Sequence, residues 1–316
     1  MTTGRLQAVP NVSEGRDAAV VEAIGAAYSA AGATLAATHR DVDHHRSVHV
    51  LFGSADTLVD ALVAGIGVAA DTIDLSRQDG VHPRIGAADV VPFVGLDPPG
   101  VAEARRAAVR LGERVGAELR LPVFLYGDVG DGRRPAFFRR GGPIELQRRI
   151  DDGELDPDFG PARLDRRAGG VLIGARAPLI AFNLVLADAD LAVARAVAEA
   201  VRESGGGMPG LQAIGLELAS TGEVQVSMNV IDVERAPLHE VVARVRAEAG
   251  ARDARVAHGE LVGLLPARVV AQAARAAGEH PVDELEVPSR AALAAAASAF
   301  LLPGLTAEDV VEHYLD

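Results

Sequence analysis

Two short runs, Q-A-I-G-L-E-L at 212–218 and E-V-Q-V-S-M-N-V at 223–230, meet across Thr221 and Gly222, and their reading decides the fold. In the second run Val224, Val226, Met228 and Val230 alternate with Gln225, Ser227 and Asn229, the period of a strand buried on one face. A turn dipeptide between two such runs makes a β-hairpin. Working outward, Leu179 to Leu186 reads as a strand, and Asp188 opens a helix to about Glu203. Leu238 to Ala249 has helical spacing, and Arg255 to Val262 is a last strand. The order β-α-β-β-α-β is that of a ferredoxin-like unit.

The first half gives the same order. Leu6 to Pro10 is a strand, Asp17 caps a helix to about Ala31, and Thr34 to Thr38 and Ser47 to Phe52 are strands. A helix over 55–70 and a strand from Asp89 to Val94 complete it. Before the second unit comes extra material: a helix over 100–119, a strand from Pro122 to Tyr126, one helical segment over 136–149 and a loop rich in Asp, Pro and Gly from Asp151 to Pro161 that leads to Val171 to Gly174. The expected class is therefore α/β of the α+β sandwich type, with two ferredoxin-like βαββαβ subdomains, the first enlarged. We place them at 1–177 and 178–284. A helical tail follows at 285–316, where Ser289 caps the alanine run and Thr306 with Asp309 opens a final helix.

At 316 residues the chain has room for two such cores. Aromatic residues are 3%, so Val, Leu, Ile and Ala must build them. The chain has no lysine and no cysteine, which excludes Schiff-base and P-loop lysines, thiol nucleophiles and disulfides. A net charge of −13 argues against nucleic acid as a partner. No leader or membrane-length apolar run is evident, so we expect a cytoplasmic protein with no membrane partner.

The stretch D-G-V-H-P-R-I-G-A-A-D-V-V-P-F-V at 79–94 presents a histidine on a stiff connection. Pro83 holds His82 extended, and Gly80 and Gly86 allow turns on either side. His82 is either a proton-transfer group or a loop histidine bonded to a backbone carbonyl. Arg84 is either a carboxylate clamp or a surface ion-pair partner. D-V-D-H-H-R-S-V-H at 41–49 reads as a polar substrate wall, with a metal on Asp43, His45 and His49 as the alternative, since His45, Ser47 and His49 share one face of a strand. V-P-N-V-S-E-G-R at 9–16 precedes the first helix, whose amides with Arg16 would attract an anion, unless the run is an ordinary capped turn. The polar face of Gln225, Ser227 and Asn229, with Asn183 and the small residues Ala213 and Gly215, is either a solvated sheet face or a ligand groove.

In order along the chain, V-P-N-V-S-E-G-R, D-H-H-R-S-V (43–48), D-G-V-H-P-R-I-G-A-A-D-V-V-P-F (79–93), P-V-F-L-Y-G (122–127), P-D-F-G-P (157–161), G-A-R-A-P-L-I-A-F-N (174–183), Q-V-S-M-N (225–229) and E-L-V-G-L (260–264) resemble the formiminotransferase family. The resemblance implies two subdomains with a cleft between them and transfer of the formimino group from N-formimino-L-glutamate to N5 of tetrahydrofolate as co-substrate, with no metal. It implies His82 as the proton-transfer residue. Asn11, Arg16, His44, His45, Arg46 and Arg84 are the candidates for substrate binding. Asp158, Phe159, Gly160 and Pro161, with Asn183, Gln225, Ser227 and Asn229, are those for folate binding. The partners would be small molecules, and a homodimer is compatible with them. The chain departs from the family's usual pattern at His45, where Asn is common, at Ala168, where a larger residue is, and in the Gly- and Arg-rich stretch 131–140. No cyclodeaminase segment follows, so ring closure is expected from a separate protein. The competing readings are a folate or amino-acid binder without turnover, a transferase with a changed donor, and a metal-dependent hydrolase.

Overall fold

The computed structural model describes residues 5–78, 82–280 and 282–315. The chain divides after Pro178 into two compact units.

In the first unit the elements run β1 (Leu6–Ala8), β2 (Asn11–Val12), α1 (Ala18–Ala30), β3 (Thr34–Asp41), β4 (Arg46–Phe52), α2 (Ala55–Thr72), β5 (Ala88–Gly95), α3 (Pro98–Arg114), β6 (Val123–Gly127), α4 (Pro135–Arg139), α5 (Gly142–Asp151) and β7 (Val171–Arg176). Helix starts follow local chemistry. Asp17 accepts the amides of Ala19 and Val20, Ser54 accepts that of Thr57, and Asp97 accepts that of Gly100 ahead of Pro98 at the first turn.

Strand β4 pairs antiparallel with β3 on one side and with β1 and β2 on the other. Strands β1 and β2 pair antiparallel with β5. The spatial order β5-β1-β4-β3 is the ferredoxin-like core. Beyond β5 the sheet continues in parallel to β7 and then β6. One face, with Val91, Phe93, Val123 and Ile173, packs on α1, α2 and α3 through Ile24, Tyr28, Leu62, Ile66 and Leu111. The other face, with Val90, Phe124, Tyr126 and Leu172, is covered by Phe138 of α4 and by Leu146 and Ile150 of α5. The single helix expected over 136–149 is two helices, because Gly141 and Gly142 both take positive φ and break it.

The second unit contains β8 (Ile180–Ala187), α6 (Leu191–Val201), β9 (Leu211–Glu217), β10 (Val224–Val230), α7 (Leu238–Gly250), β11 (Arg255–Val262), α8 (Ala267–Ala276) and α9 (Arg290–Phe300). Its sheet is antiparallel in the order β11-β8-β10-β9, the same arrangement as in the first unit. Val224, Val226, Met228 and Val230 lie in a core shared with Val197 and Val201 of α6, Val241 and Val245 of α7, and Phe300 of α9. Helix α6 starts at Leu191 on an Asp190 cap, a turn later than the expected Asp188, which has φ +59°. The Thr306–Asp309 capping box is present, but it opens 3-10 turns at Ala307–Asp309 and Val311–Tyr314 instead of a final α-helix. Among the described residues no helix is long and apolar enough to cross a membrane.

Candidate functional site

Three connections of the first unit converge: the loop into α1, the β3–β4 turn and the segment leading into β5. Gly15 permits the first approach, since a Cβ there would lie 2.0 Å from the Asp41 carbonyl oxygen. Beside it, Glu14 Oε1 accepts the amides of Arg16 at 2.7 Å and Asp17 at 3.0 Å. The amides expected to attract an outside anion are thus taken by the chain's own Glu14 and Asp17. Arg16 turns its Nε to the Val42 carbonyl at 3.1 Å. Burial alone would raise the Glu14 carboxyl. The two amides, together with His45, outweigh it and hold the group below its ordinary range.

His45 is buried, with Nε2 3.0 Å from Glu14 Oε1. Its φ of +49° lies in the left-handed region where Asn and His are the enriched non-glycine types, so histidine fits where Asn is common in the resembled family. Asp41 receives the amides of Asp43 and His44 at 2.8 Å and fixes His44 through Nδ1 at 2.5 Å. The His44 ring then lies 6.3 Å from that of His82.

Arg84 ties the histidines together. Its Nε donates to the His82 carbonyl, its Nη2 to the His44 carbonyl, and its Nη1 to the His45 carbonyl and to Gln78 Oε1, at 2.9 to 3.2 Å. In these contacts Arg84 is a clamp on backbone, a role that neither reading from sequence named. Gly80, expected to turn the chain before His82, lies outside the described residues.

Beneath them is a buried ion cluster that the sequence reading missed. Asn11 pairs with Val90 and Val12 with Ala88, so Asp89 is the extra residue of a β-bulge, and its carboxylate has no solvent exposure. Asp89 Oδ2 accepts from Arg46 Nη1 at 2.8 Å and from Arg139 Nη2 at 2.5 Å, and Oδ1 accepts the Ile85 amide at 2.8 Å. Burial would raise the Asp89 carboxyl, but Arg139 and Arg46 hold it ionised. Arg46 also donates from Nε to Asn11 Oδ1, whose Nδ2 is held by the Val9 carbonyl. Arg46 is pushed down to about 10 by burial, against the pull of Asp89, and stays charged at neutral pH.

His82 is pushed down to about 2, by burial first and then by the Arg46 and Arg139 charges, so its ring is neutral. Its Nδ1 is buried without a hydrogen-bond partner. The carbonyl-bonded alternative for this ring is therefore not what Nδ1 does. The guanidinium charge that keeps this imidazole neutral also favours an anion beside it.

The other candidates lie elsewhere. Ser47 and His49 face α1, with the His49 ring 5.4 Å from Tyr28, while His45 faces Glu14. Among the described residues no three His, Asp or Glu side chains form a group that could hold a metal ion. Asp158 accepts the Leu125 amide at 2.7 Å, and the Phe159 carbonyl accepts that of Val123, so 157–161 lines the edge of β6, with Phe159 packed on the helix-side core. Gly160, at φ +82°, turns the chain there ahead of Pro161.

In the second unit Asn183 pairs with Ser227 across β8 and β10, and its Nδ2 donates to Glu260 at 2.9 Å. Gln225 and Asn229 share that face, and the buried Gln225 amide has no partner on either atom. Ala213 and Gly215 do not. They pair with Met228 and Val226 on the opposite face, where a Cβ at Gly215 would lie 2.4 Å from the Arg195 amide of α6. They are small to seat the helix, and the groove loses them.

Comparison with known proteins adds two matches that cover both units. The family described as "Formiminotransferase domain, N-terminal subdomain" matches residues 5–176, and that described as "Formiminotransferase domain" matches residues 181–280. Glutamate formimidoyltransferase of Streptococcus pyogenes is 33% identical over 269 residues, covering 84% of this chain and 90% of that protein. Glutamate formimidoyltransferase of Thermoplasma acidophilum is 34% identical over 278 residues, 85% of this chain and 91% of that protein. Formimidoyltransferase-cyclodeaminase of Gallus gallus is 36% identical over 280 residues, 85% of this chain and 51% of that protein.

Proposed function

The chain belongs to the formiminotransferase family, and from that premise we propose that it is a glutamate formimidoyltransferase. It transfers the formimino group from N-formimino-L-glutamate to N5 of tetrahydrofolate. The observation that carries the site assignment is the neutral His82 ring at the edge of a cluster with more guanidinium than carboxylate charge.

The chemistry needs a proton moved within one encounter. As N5 attacks the amidine carbon, a carbon–nitrogen bond forms and N5 becomes too acidic to keep its proton. The bond from that carbon to the glutamate nitrogen breaks only when this nitrogen has gained one. His82, uncharged at the start, takes the proton from N5 and returns it to the leaving nitrogen, so no net proton is consumed. A ring held near 2 is a weak base. The anionic donor raises it, because its carboxylates offset the Arg46 and Arg139 share of the depression, while burial still opposes the charged ring. The remaining acceleration comes from holding the two substrates together.

Asn11 and Arg46 form the floor of the donor site, with His44 and His45 beside His82. Arg84 sets the position of that histidine group, and Arg16 adds positive charge near the entrance of α1. For the folate we assign the polar sheet face of Asn183, Gln225, Ser227 and Asn229. We also assign the 157–161 stretch, with Asp158, Phe159, Gly160 and Pro161, to folate binding. The protein works on small molecules in the cytoplasm and needs no metal.

The test is an assay of N-formimino-L-glutamate with tetrahydrofolate, following loss of the donor and appearance of 5-formiminotetrahydrofolate. If neither changes with the purified protein, this function is wrong.

A further inference from the structure

Arg84 has little left to offer a substrate, and Arg46 is the more deeply buried arginine of the ion cluster. Arg46 commits Nε to Asn11 and Nη1 to Asp89, and Arg84 commits all three of its nitrogens to the carbonyls of His82, His44 and His45 and to Gln78. Arg139 differs. It gives Nη2 to Asp89, while its Nε is buried and has no acceptor. A guanidinium carries five N–H groups, and a buried one left unmatched costs free energy that a bound acceptor recovers.

The position of Arg139 is built. It ends α4, where Phe138 is buried against Phe124 at 5.5 Å between ring centroids. The buried Arg149 Nη1 holds the Phe137 carbonyl at 2.9 Å, and its guanidinium lies 4.4 Å from the Phe137 ring centroid. Arg139 itself is 14% exposed, so a ligand can reach it, and it lies close enough to His82 to depress that ring. Among the described residues, Arg46 and Arg139 act on His82 against the opposing charge of Asp89.

We infer that Arg139 binds a carboxylate of the amino-acid donor through the guanidinium N–H groups that Asp89 does not take, with Asp89 holding the guanidinium in place. The inference rests on the formimidoyltransferase reading and adds a specificity residue to it. Asp89 thereby acts as a positioning residue, since its carboxylate touches only protein groups. The carboxylate that completes the site arrives with the substrate, and a guanidinium fork is the group that recognises it with a defined geometry.

The experiment is a substrate–protein double-mutant cycle. Wild type and Arg139→Gln are assayed with tetrahydrofolate and three donors: N-formimino-L-glutamate, its α-amide and its γ-amide. Wild type should discriminate against at least one amide. In the variant kcat/KM for N-formimino-L-glutamate should fall roughly 10- to 100-fold, mainly through KM, and the discrimination against that same amide should vanish. A merely structural role would lower all three donors alike and keep the discrimination, which overturns the inference. So would a variant whose donor KM is unchanged. If Arg139→Gln is too unstable to assay, Arg139→Lys, which keeps a charge opposite Asp89 but loses the fork, is put through the same cycle. A wild type that turns over none of the donors removes the parent reading and the inference with it. A wild type that turns over all three equally removes the inference alone.

Discussion

Arg46 Nη1 and Asp89 Oδ2 are 2.8 Å apart, and neither side chain is more than 9% exposed. A pair at that depth is a constraint before it is a source of stability. The desolvation cost of both ions is offset only while each keeps its partner.

Asp89→Asn should therefore destabilise the protein by about 3–5 kcal/mol, because Arg46 and Arg139 would both be left without a buried counter-charge. Urea unfolding of wild type and variant measures this. A change below about 1 kcal/mol would mean that the cluster is solvated and that the charge argument fails.

His82→Ala should reduce turnover by about 10²- to 10⁴-fold while tetrahydrofolate binding stays within a few fold of wild type. Single-turnover kinetics and a folate titration separate the two effects. Equal loss of both would assign His82 to binding.

Arg84→Lys replaces a fork reaching three backbone carbonyls and Gln78 with a single ammonium. The histidine-bearing segments should shift against each other, and kcat should fall on the order of 10²-fold with little change in donor KM. A rise in KM at constant kcat would instead make Arg84 a direct substrate contact.

His49 has no exposed surface and is pushed down to about 4, by burial and then by His39. Its folded value lies below the ordinary 6.5, so below pH 6.5 the unfolded chain binds the proton that the folded chain refuses. This contribution is complete above pH 6.5 and lost as the pH falls toward 4, about 3 kcal/mol in all. His82 adds to it in the same direction. Urea midpoints from pH 7 to pH 4 should drop less steeply in His49→Gln, and parallel curves would exclude His49 as a source.

Gln225→Met should raise stability by about 1 kcal/mol, since it removes a buried amide without partners, and should weaken tetrahydrofolate binding. Unchanged folate affinity would remove Gln225 from the folate assignment.

The fold was legible where the determinants are local. Alternation in 223–230, the Asp17 and Ser289 caps and the strand at Arg255–Val262 each declare themselves within a few residues. The site was legible in part. His82, His44, His45, Arg46, Arg84 and Asn11 do come together.

What was missed depends on distant partners. Arg139 is one of many arginines in 131–149, and nothing local distinguishes it until Asp89, 50 residues away, takes its guanidinium. Glu14 does not stand out within the run 9–16, because its contact with His45 spans 31 positions. Ala213 and Gly215 were assigned to the wrong face because the pairing with β10, which sets the face, is not written in β9 alone. An aspartate inside the apolar run 87–94 was the one available signal for the cluster, since a buried carboxylate requires a partner.

The bulge at Asp89 makes chain length itself a determinant of activity. Shortening the stretch 86–91 by one residue would leave a strand of the same composition pairing with the same neighbours, yet it would swing the carboxylate round to the helices and leave Arg46 and Arg139 with nothing to hold them. In sorting related sequences or building chimaeras, the spacing between Gly86 and the Val90-Val91 pair therefore separates sound copies from ones that lose both the site and the stability of the ion cluster, even where every named side chain is kept.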